Sequence, residues 1–515
     1  MNIFLRKNFL LIVALAIFAA LFAMAAQGMG TQDFVITLLR GLSVGAVTFL
    51  VASGFSLIFG LLDVLNLAHG TLFMIGAYIG WTVYVRPDTF VDLLTPLALI
   101  FSGFMLGDVY PLLSTRIRPG LRMKRILPWA LILVSILLFA YILPRYPVAI
   151  WNLDNYAQSP VTYSFMADQG ARLPSPTVSF DQIYPAFAIL GLLVASVTGS
   201  FGLSLFDQTT QRPLKLTWRN FTGFVLLFLV GLICFVFNDT LTNFLTGLNT
   251  NWLFLIAVLV ATLSGAGLGA LMESTLIRPL YSRPIYQLML TIGLSAIGVQ
   301  IVQTIWGRPE FVMPKPTMFN GSSASCPATS FSAWWQNHCS TILLFDGRVR
   351  VYNEIFIPLV GLLVLIGVWV LLQRTRLGMV IRAGVQDREM VEALGINVRS
   401  VFTMVFALGV GLATLGGVLA APSTGLSNAM GESLLLNALI ALAIGGLTSY
   451  PGAALGSLLV GLIQQFIIKY GQIGIWIPFT DIVLKPTPPI VPASTVLLMV
   501  IVLLILPNGL LGKKE

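Results

Sequence analysis

Charge is the first thing missing from this sequence. Only 10% of its residues are Asp, Glu, Lys or Arg, against roughly 25% in soluble domains, which argues against a globular enzyme held by a single anchor. Histidine is nearly absent as well. With His69 and His338 alone in the chain, a histidine-based metal centre is not expected. The sequence contains no G-x-x-x-x-G-K-[ST] phosphate loop, no H-E-x-x-H helix and no metal-spaced His/Cys cluster. No nucleotide site and no catalytic constellation is therefore expected in this chain, and no cofactor of its own.

What is abundant is hydrocarbon, at 57% of residues. Apolar windows of about 20 residues predict about fourteen membrane spans, at 8–26, 34–60, 66–85, 92–110, 126–144, 182–205, 220–237, 251–272, 286–307, 353–372, 400–421, 434–449, 452–468 and 493–510. The expected fold class is all-α: a polytopic membrane helical bundle in the inner (plasma) membrane, with both termini cytoplasmic. Small residues within the spans, such as Gly41, Gly45, Ser53 and Gly54 or Gly265, Gly267 and Gly269, allow the close helix packing that a lipid-embedded bundle needs.

The excess of positive charge follows that topology. Arg6 and Lys7, the cluster Arg116, Arg118, Arg122, Lys124 and Arg125, then Arg212, Lys215 and Arg219, Arg278 and Arg283, Arg374 to Arg399, and Lys513 and Lys514 all fall on the cytoplasmic side of a fourteen-span count. They account for about two thirds of the Lys and Arg, as the positive-inside rule requires. Nothing in the charge calls for a nucleic-acid partner.

Of three cysteines, Cys234 falls in an apolar span and packs as a small hydrophobe. Cys326 and Cys339 share the loop 308–352, expected to be external, where two readings stand: a disulfide in an oxidising exterior, or two free thiols in a loose loop. The first span also has two readings. Arg6-Lys7, the apolar stretch and Ala23-Met24-Ala25 suit an uncleaved helix or a cleavable signal peptide.

These features divide the chain into an N-terminal helix or signal anchor (1–33), a first part of a membrane core (34–91), an inserted accessory bundle of four spans (92–250) and a second part of the core (251–515). The second part carries the external loop 308–352 and a charged cytoplasmic loop, 373–399. An even number of inserted spans returns the chain to the side it left, so the flanking parts can fold as though the insert were absent.

Polar residues at membrane depth are the candidate site. Asn66, His69 and Gly70 interrupt apolar sequence in LNLAHG, Gln300 and Gln303 lie in a later span, and Asn437 opens another. Singly, each is explained by a hydrogen bond that ties helices together; as a group they favour an internal route for a polar solute. Asn66 is suited to cap the helix that follows, and interrupted helices at this depth build binding sites in transporters. No carboxylate is firmly placed at a span centre, which weakens the case for a proton- or sodium-driven carrier.

The charged loop has an internal layout. A basic turn from Arg376 to Arg382 leads through Gly384 to Asp387, an apt N-cap. A short helix then sets Met390, Val391 and Leu394 as an apolar stripe against the bundle and displays Arg388, Glu389 and Glu392, before Ala393, Leu394 and Gly395 end it. Such a helix fits a groove on a partner, or lies in the headgroup plane.

Four blocks, GLSVGAVTFLVASGFSLIFGLLDVLNLAHGTLFMIGAY (41–78), LIRPLYSRPIYQLMLTIGLSAI (276–297), TRLGMVIRAGVQDREMVEALGINV (375–398) and NALIALAIGGLTSYPGAALGSLLVGLI (437–463), resemble the permease subunits of branched-chain amino acid ABC importers, including the related urea-type permeases. The resemblance implies that loop 375–399, and within it EALG at Glu392 to Gly395, docks on cytoplasmic ATPase subunits that bind the ATP. It also implies a solute path along LNLAHG, a second homologous permease subunit and an external solute-binding protein. The insert 92–250 and the long loop 308–352 depart from the family pattern. The primary expectation is a transport subunit, not an enzyme, for a branched-chain amino acid, with urea or short amides as the alternative within the family. A stand-alone secondary carrier or channel is the alternative from another class.

Overall fold

The computed structural model of the protein describes residues 29–106, 109–110, 121–146, 183–205, 218–308, 310–322, 325–386, 388–476 and 483–512. The predicted first span, the stretch 147–181, the N-cap Asp387, the arginines at 116 and 118, and the C-terminal lysines lie outside them. Every predicted span from 34 onward overlaps a helix. Among the described residues seven helices are long and apolar enough to cross a bilayer, or eight if the pair Phe221–Val236 and Asn238–Thr246, bent by 73°, is one span. Three shorter apolar helices run over Ile126–Ile142, Met430–Gly445 and Ile490–Ile505.

The chain divides into two units, residues 29–81 with 249–512 and residues 82–248. The first begins with α1 (Thr31–Leu62), which stops where Asp63 takes a left-handed conformation (φ 53°) and returns its N–H to Phe59 O. After a break at 63–68 the chain enters α2 (His69–Val85).

The second unit contains α3 (Pro87–Phe104), α4 (Leu121–Ile142), α5 (Pro185–Ser204), α6 (Arg219–Val236) and α7 (Asn238–Thr246). Proline at the first helical position starts α3 and α5, where the missing N–H is not needed. Leu99, Ile142, Tyr146, Ala188 and Leu192 form its core. Hydroxyls supply cross-helix bonds in this apolar setting: Thr95 Oγ1 donates to Gly231 O at 3.2 Å and Ser135 Oγ to Ala195 O at 2.7 Å.

The first unit resumes with α8 (Thr250–Met272), a π turn at Glu273–Ile277, and α9 (Pro284–Trp306). The connection that follows is a folded element. It holds α10 (Phe331–Asn337) and a hairpin of β1 (Thr341–Leu344) with β2 (Gly347–Arg350), in register Thr341 to Arg350. Cys326 and Cys339 are joined in a disulfide with Cα atoms 5.5 Å apart. Phe319, Trp334, Tyr352 and Phe356 pack ring against ring in the same element, with centroids 5.1–6.0 Å apart.

A second π turn, Val351–Phe356, leads into α11 (Ile357–Arg374). The charged loop forms α12 (Arg376–Gln386) and α13 (Arg388–Ala393), followed by α14 (Val398–Thr424), α15 (Met430–Gly445), α16 (Tyr450–Ile473), the two-residue strands β3 (Ile475–Trp476) and β4 (Val483–Leu484), and α17 (Ile490–Ile505). Val51, Phe55, Phe73, Ala413, Leu442 and Ala453 bring α1, α2, α14, α15 and α16 into one core.

Close backbone approach explains the glycines. A Cβ on Gly54 would strike Gly409 O, and one on Gly70 would strike Gly431 O, so these positions let α1 meet α14 and α2 meet α15. Gly267 differs from its neighbours Gly265 and Gly269. Among the described residues nothing lies within 4 Å of a Cβ built there, so it turns away from the packed face and is not part of the small-residue contact expected of it.

Candidate functional site

The break between α1 and α2 leaves backbone groups at membrane depth that need partners. Thr291 of α9 meets them: its Oγ1 accepts from Leu67 N at 3.3 Å, and its one hydroxyl proton is shared between Leu65 O at 3.3 Å and Leu288 O of its own helix at 3.0 Å. Asn66 serves the following helix through its main chain, since His69 N donates to Asn66 O at 3.2 Å. Its side chain is fully buried, and neither Oδ1 nor Nδ2 has a hydrogen-bond partner among the described residues. The side-chain cap expected of Asn66 is therefore not formed. The carbonyl does that work because the turn closes on the main chain.

His69 is also fully buried. Its Nε2 lies 3.1 Å from Val51 O, and only a protonated nitrogen bonds a carbonyl, so in the neutral ring Nδ1 keeps its lone pair. That Nδ1 has no hydrogen-bond partner among the described residues.

Beside this break lies a cavity of about 1050 Å³. Gly70, Thr71 and Met74 of α2, Gln300 and Gln303 of α9, and Asn428, Gly431 and Glu432 at the start of α15 contribute to its lining. Thr71 Oγ1 and Ser295 Oγ bond each other in its lining at 2.6 Å. Gln300 and Gln303 are thus brought together with Gly70. Asn66 and His69 sit in the wall behind them, and Asn437 is elsewhere: its Oδ1 accepts from Gln464 Nε2 at 3.2 Å and ties α15 to α16.

Nothing in the sequence singles out Glu432, although it is the one charged residue among the described residues lining the cavity. Its acidic position in a first helical turn is the kind that the helix dipole favours, and that ordinary explanation hides a cavity residue. Two further carboxylates escape a sequence reading. Glu273 and Glu354 are 0% and 3% exposed and are held by Arg278 and Arg40, respectively.

The charged loop is helical over most of its described length. α12 runs through Gly384 to Gln386 without a break, and Arg376 and Arg382 are exposed, with Arg382 Nη1 donating to Leu372 O. α13 ends as its glycine requires: Gly395 has φ +82°, and Ile396 N returns to Val391 O. Asn397 then caps α14 by accepting from Ser400 N at 3.3 Å. The apolar stripe is corrected by the structure. Val391 alone is buried, at 4%, against Tyr281, Ala383, Ile396, Val398 and Phe402, whereas Met390 and Leu394 are 61% and 74% exposed. Successive helical residues are about 100° apart, so Met390, one position before Val391, turns away from the face that Val391 buries, and Leu394 lies just past the last residue of α13. Glu392 and Ala393 are exposed beside them.

The model of the family described as branched-chain amino acid transport system / permease component matches residues 186–507. That span starts in α5, within a stretch read from sequence as insert, and leaves out α1 and α2. The chain is 26% identical over 272 residues to the high-affinity branched-chain amino acid transport system permease protein LivH of Escherichia coli (strain K12), covering 52% of this chain and 78% of the relative. It is 33% identical over 171 residues to the corresponding protein BraD of Pseudomonas aeruginosa, covering 33% of this chain and 51% of the relative. A probable branched-chain amino acid transport permease protein LivH of Methanocaldococcus jannaschii is 28% identical over 111 residues, 22% of this chain and 35% of the relative. No solved structure matches the chain. With the family's model spanning more than half of its length and apolar helices running through both units, the chain is a multi-pass integral protein of the inner membrane and belongs to the branched-chain amino acid transport permease family.

Proposed function

We propose that this chain is the membrane-spanning subunit of an ATP-driven importer for branched-chain amino acids, working with ABC ATPase subunits, a second homologous permease and an external solute-binding protein. The observation that carries the reading is the cavity of about 1050 Å³ beside the broken α1–α2 span, within a family named for branched-chain amino acid transport. On this reading the chain crosses the bilayer about fourteen times with both termini in the cytoplasm. The loop 308–352 then faces outward and the charged loop inward, in keeping with the disulfide in the first and the arginines in the second.

The lining matches the solute's chemistry. Isoleucine side chains of α9, Ile297, Ile301 and Ile305 among them, offer an apolar wall to an aliphatic side chain. Glu432 offers a carboxylate to an ammonium group, and the first-turn N–H groups of α15 beside it offer donors to a carboxylate. Gln300, Gln303, Thr71 and Ser295 complete a polar side that also suits urea or a short amide, the second reading. On the inner side, α13 and the turn after it expose Met390, Glu392 and Leu394 to an ATPase groove. ATP would be bound by the partner and its motion received through that face.

Reconstitution decides between the classes. Proteoliposomes holding this chain with its second permease and ATPase subunits are expected to accumulate radiolabelled leucine only when ATP and the binding protein are supplied. Leucine uptake by this chain alone, driven by an ion gradient, would establish the secondary carrier instead.

A further inference from the structure

Glu273 is wholly buried, at the junction where α8 gives way to its π turn, and π turns interrupt helices frequently at functional positions. Its carboxylate is met from three sides. Arg278 donates from Nη2 at 2.7 Å and from Nε at 3.2 Å, Tyr281 donates its hydroxyl at 2.9 Å, and Thr403 of α14 donates its hydroxyl at 2.6 Å. Arg278 Nη2 also donates to Thr403 Oγ1 at 2.6 Å, which closes the cluster.

Tyr281 belongs to a second cluster at the same time. Its ring meets Phe402 edge-on at 6.1 Å and forms part of the apolar seat of Val391, the buried residue of α13. From Tyr281 the chain passes directly into α9. Gln287 Nε2, in the first turn of that helix, donates back to Leu280 O at 2.8 Å, and Thr291 one turn on holds the α1–α2 break. The outer half of α9 then lines the cavity through Gln300 and Gln303.

A continuous set of contacts thus runs from α13 through Val391, Tyr281 and Glu273 to α9, the broken span and the cavity. Its middle is a buried carboxylate, which does not tolerate separation from its donors. A displacement of α13 therefore has to carry Tyr281 and Glu273 with it. We propose that Glu273 and Tyr281 are positioning residues that convey movement of α13 to the cavity-lining helix α9, so that they set how much transport each ATP cycle yields. The inference rests on the importer reading above.

The test uses the complete importer in proteoliposomes with leucine-loaded binding protein, and measures assembled complex, ATP hydrolysis and leucine uptake together for Glu273→Gln and Tyr281→Phe. Both variants are expected to hydrolyse ATP at about the basal wild-type rate per assembled complex, with leucine moved per ATP reduced at least 5-fold. A purely structural role would lower assembly and scale both rates with it, leaving leucine per ATP unchanged, and that result overturns the inference. Should Glu273→Gln fail to assemble, Tyr281→Phe, which removes a single hydroxyl, carries the same two outcomes. A wild-type complex that takes up no leucine with ATP overturns the importer reading itself, and the inference with it.

Discussion

Glu354, 3% exposed in the π turn before α11, accepts from Nε of Arg40 on α1 at 3.0 Å. Its second oxygen accepts from Arg350 N at 2.7 Å. The carboxylate thereby joins α1, the β1–β2 hairpin and the π turn before α11. Arg40 is 43% exposed, so the attraction is partly screened, but Glu354 is buried and solvent replaces a lost partner poorly. Arg40→Ala is expected to destabilise the protein by roughly 1–3 kcal/mol, read as a lower midpoint of thermal unfolding in detergent. Glu354→Gln, which keeps a hydrogen-bonding oxygen and removes the charge, is expected to cost less.

The disulfide Cys326–Cys339 closes a loop of thirteen residues' separation around α10, for which chain-entropy arguments give about 3 kcal/mol. Its loss in Cys326→Ser with Cys339→Ser should therefore loosen the segment 310–350 before anything else. Hydrogen exchange is expected to accelerate in β1, β2 and α10 while α14 keeps its protection.

Lys315 stands with Nζ 5.8 Å from the ring centre of Tyr352. Partial burial pushes its ammonium below the ordinary lysine range, with the nearby Arg350 adding to the shift and Glu354 opposing it. The folded protein thus releases this proton at lower pH than the unfolded chain does. Stability rises as pH climbs from the depressed value towards 10.5 and the gain is complete above it. Lys315→Met is expected to remove that rise between neutral and alkaline pH, measured as the difference between variant and wild-type unfolding curves. The same slope in both would contradict the assignment.

Gly54 and Gly267 make a matched pair. Gly54→Val forces a side chain into the backbone of Gly409 and is expected to cost several kcal/mol or prevent assembly. Gly267→Ala enters open space and is expected to leave expression and unfolding unchanged, or to raise stability slightly through better helix propensity.

Within the cavity, Glu432→Gln keeps the size of the side chain and removes its charge. Leucine uptake by the complete importer is expected to fall about 10-fold through a weaker apparent affinity, while expression is retained. Uptake with unaltered affinity would remove Glu432 from solute recognition.

The helices were legible because apolar runs of membrane length leave few alternatives, and the turn at Gly395 because glycine there permits the φ that ends α13. The ion pairs were not legible. Glu273 and Glu354 stand at the ends of apolar runs, where a carboxylate is ordinarily solvated, and Arg40 is 314 positions from the acid it holds. The loop 308–352 shows no hydrophobic period that announces a fold, because its core is a cluster of rings from separated positions. Asn66 and His69 were marked by their chemistry, but whether they line a cavity or back its wall depends on α9, which no local pattern in LNLAHG contains. The apolar pattern of α13 marks Val391 as inward-facing but does not show that Met390 and Leu394 turn outward, since a helix of six residues buries a point and not a stripe.

The central claim is that this chain receives ATP-driven motion through α13, and ATP-dependent leucine uptake by proteoliposomes of the complete importer carrying Glu392→Arg tests it most directly. Uptake below about a tenth of the wild-type rate, with the variant inserted in the membrane at wild-type level, is the predicted result. Wild-type uptake from the Glu392→Arg complex would contradict it.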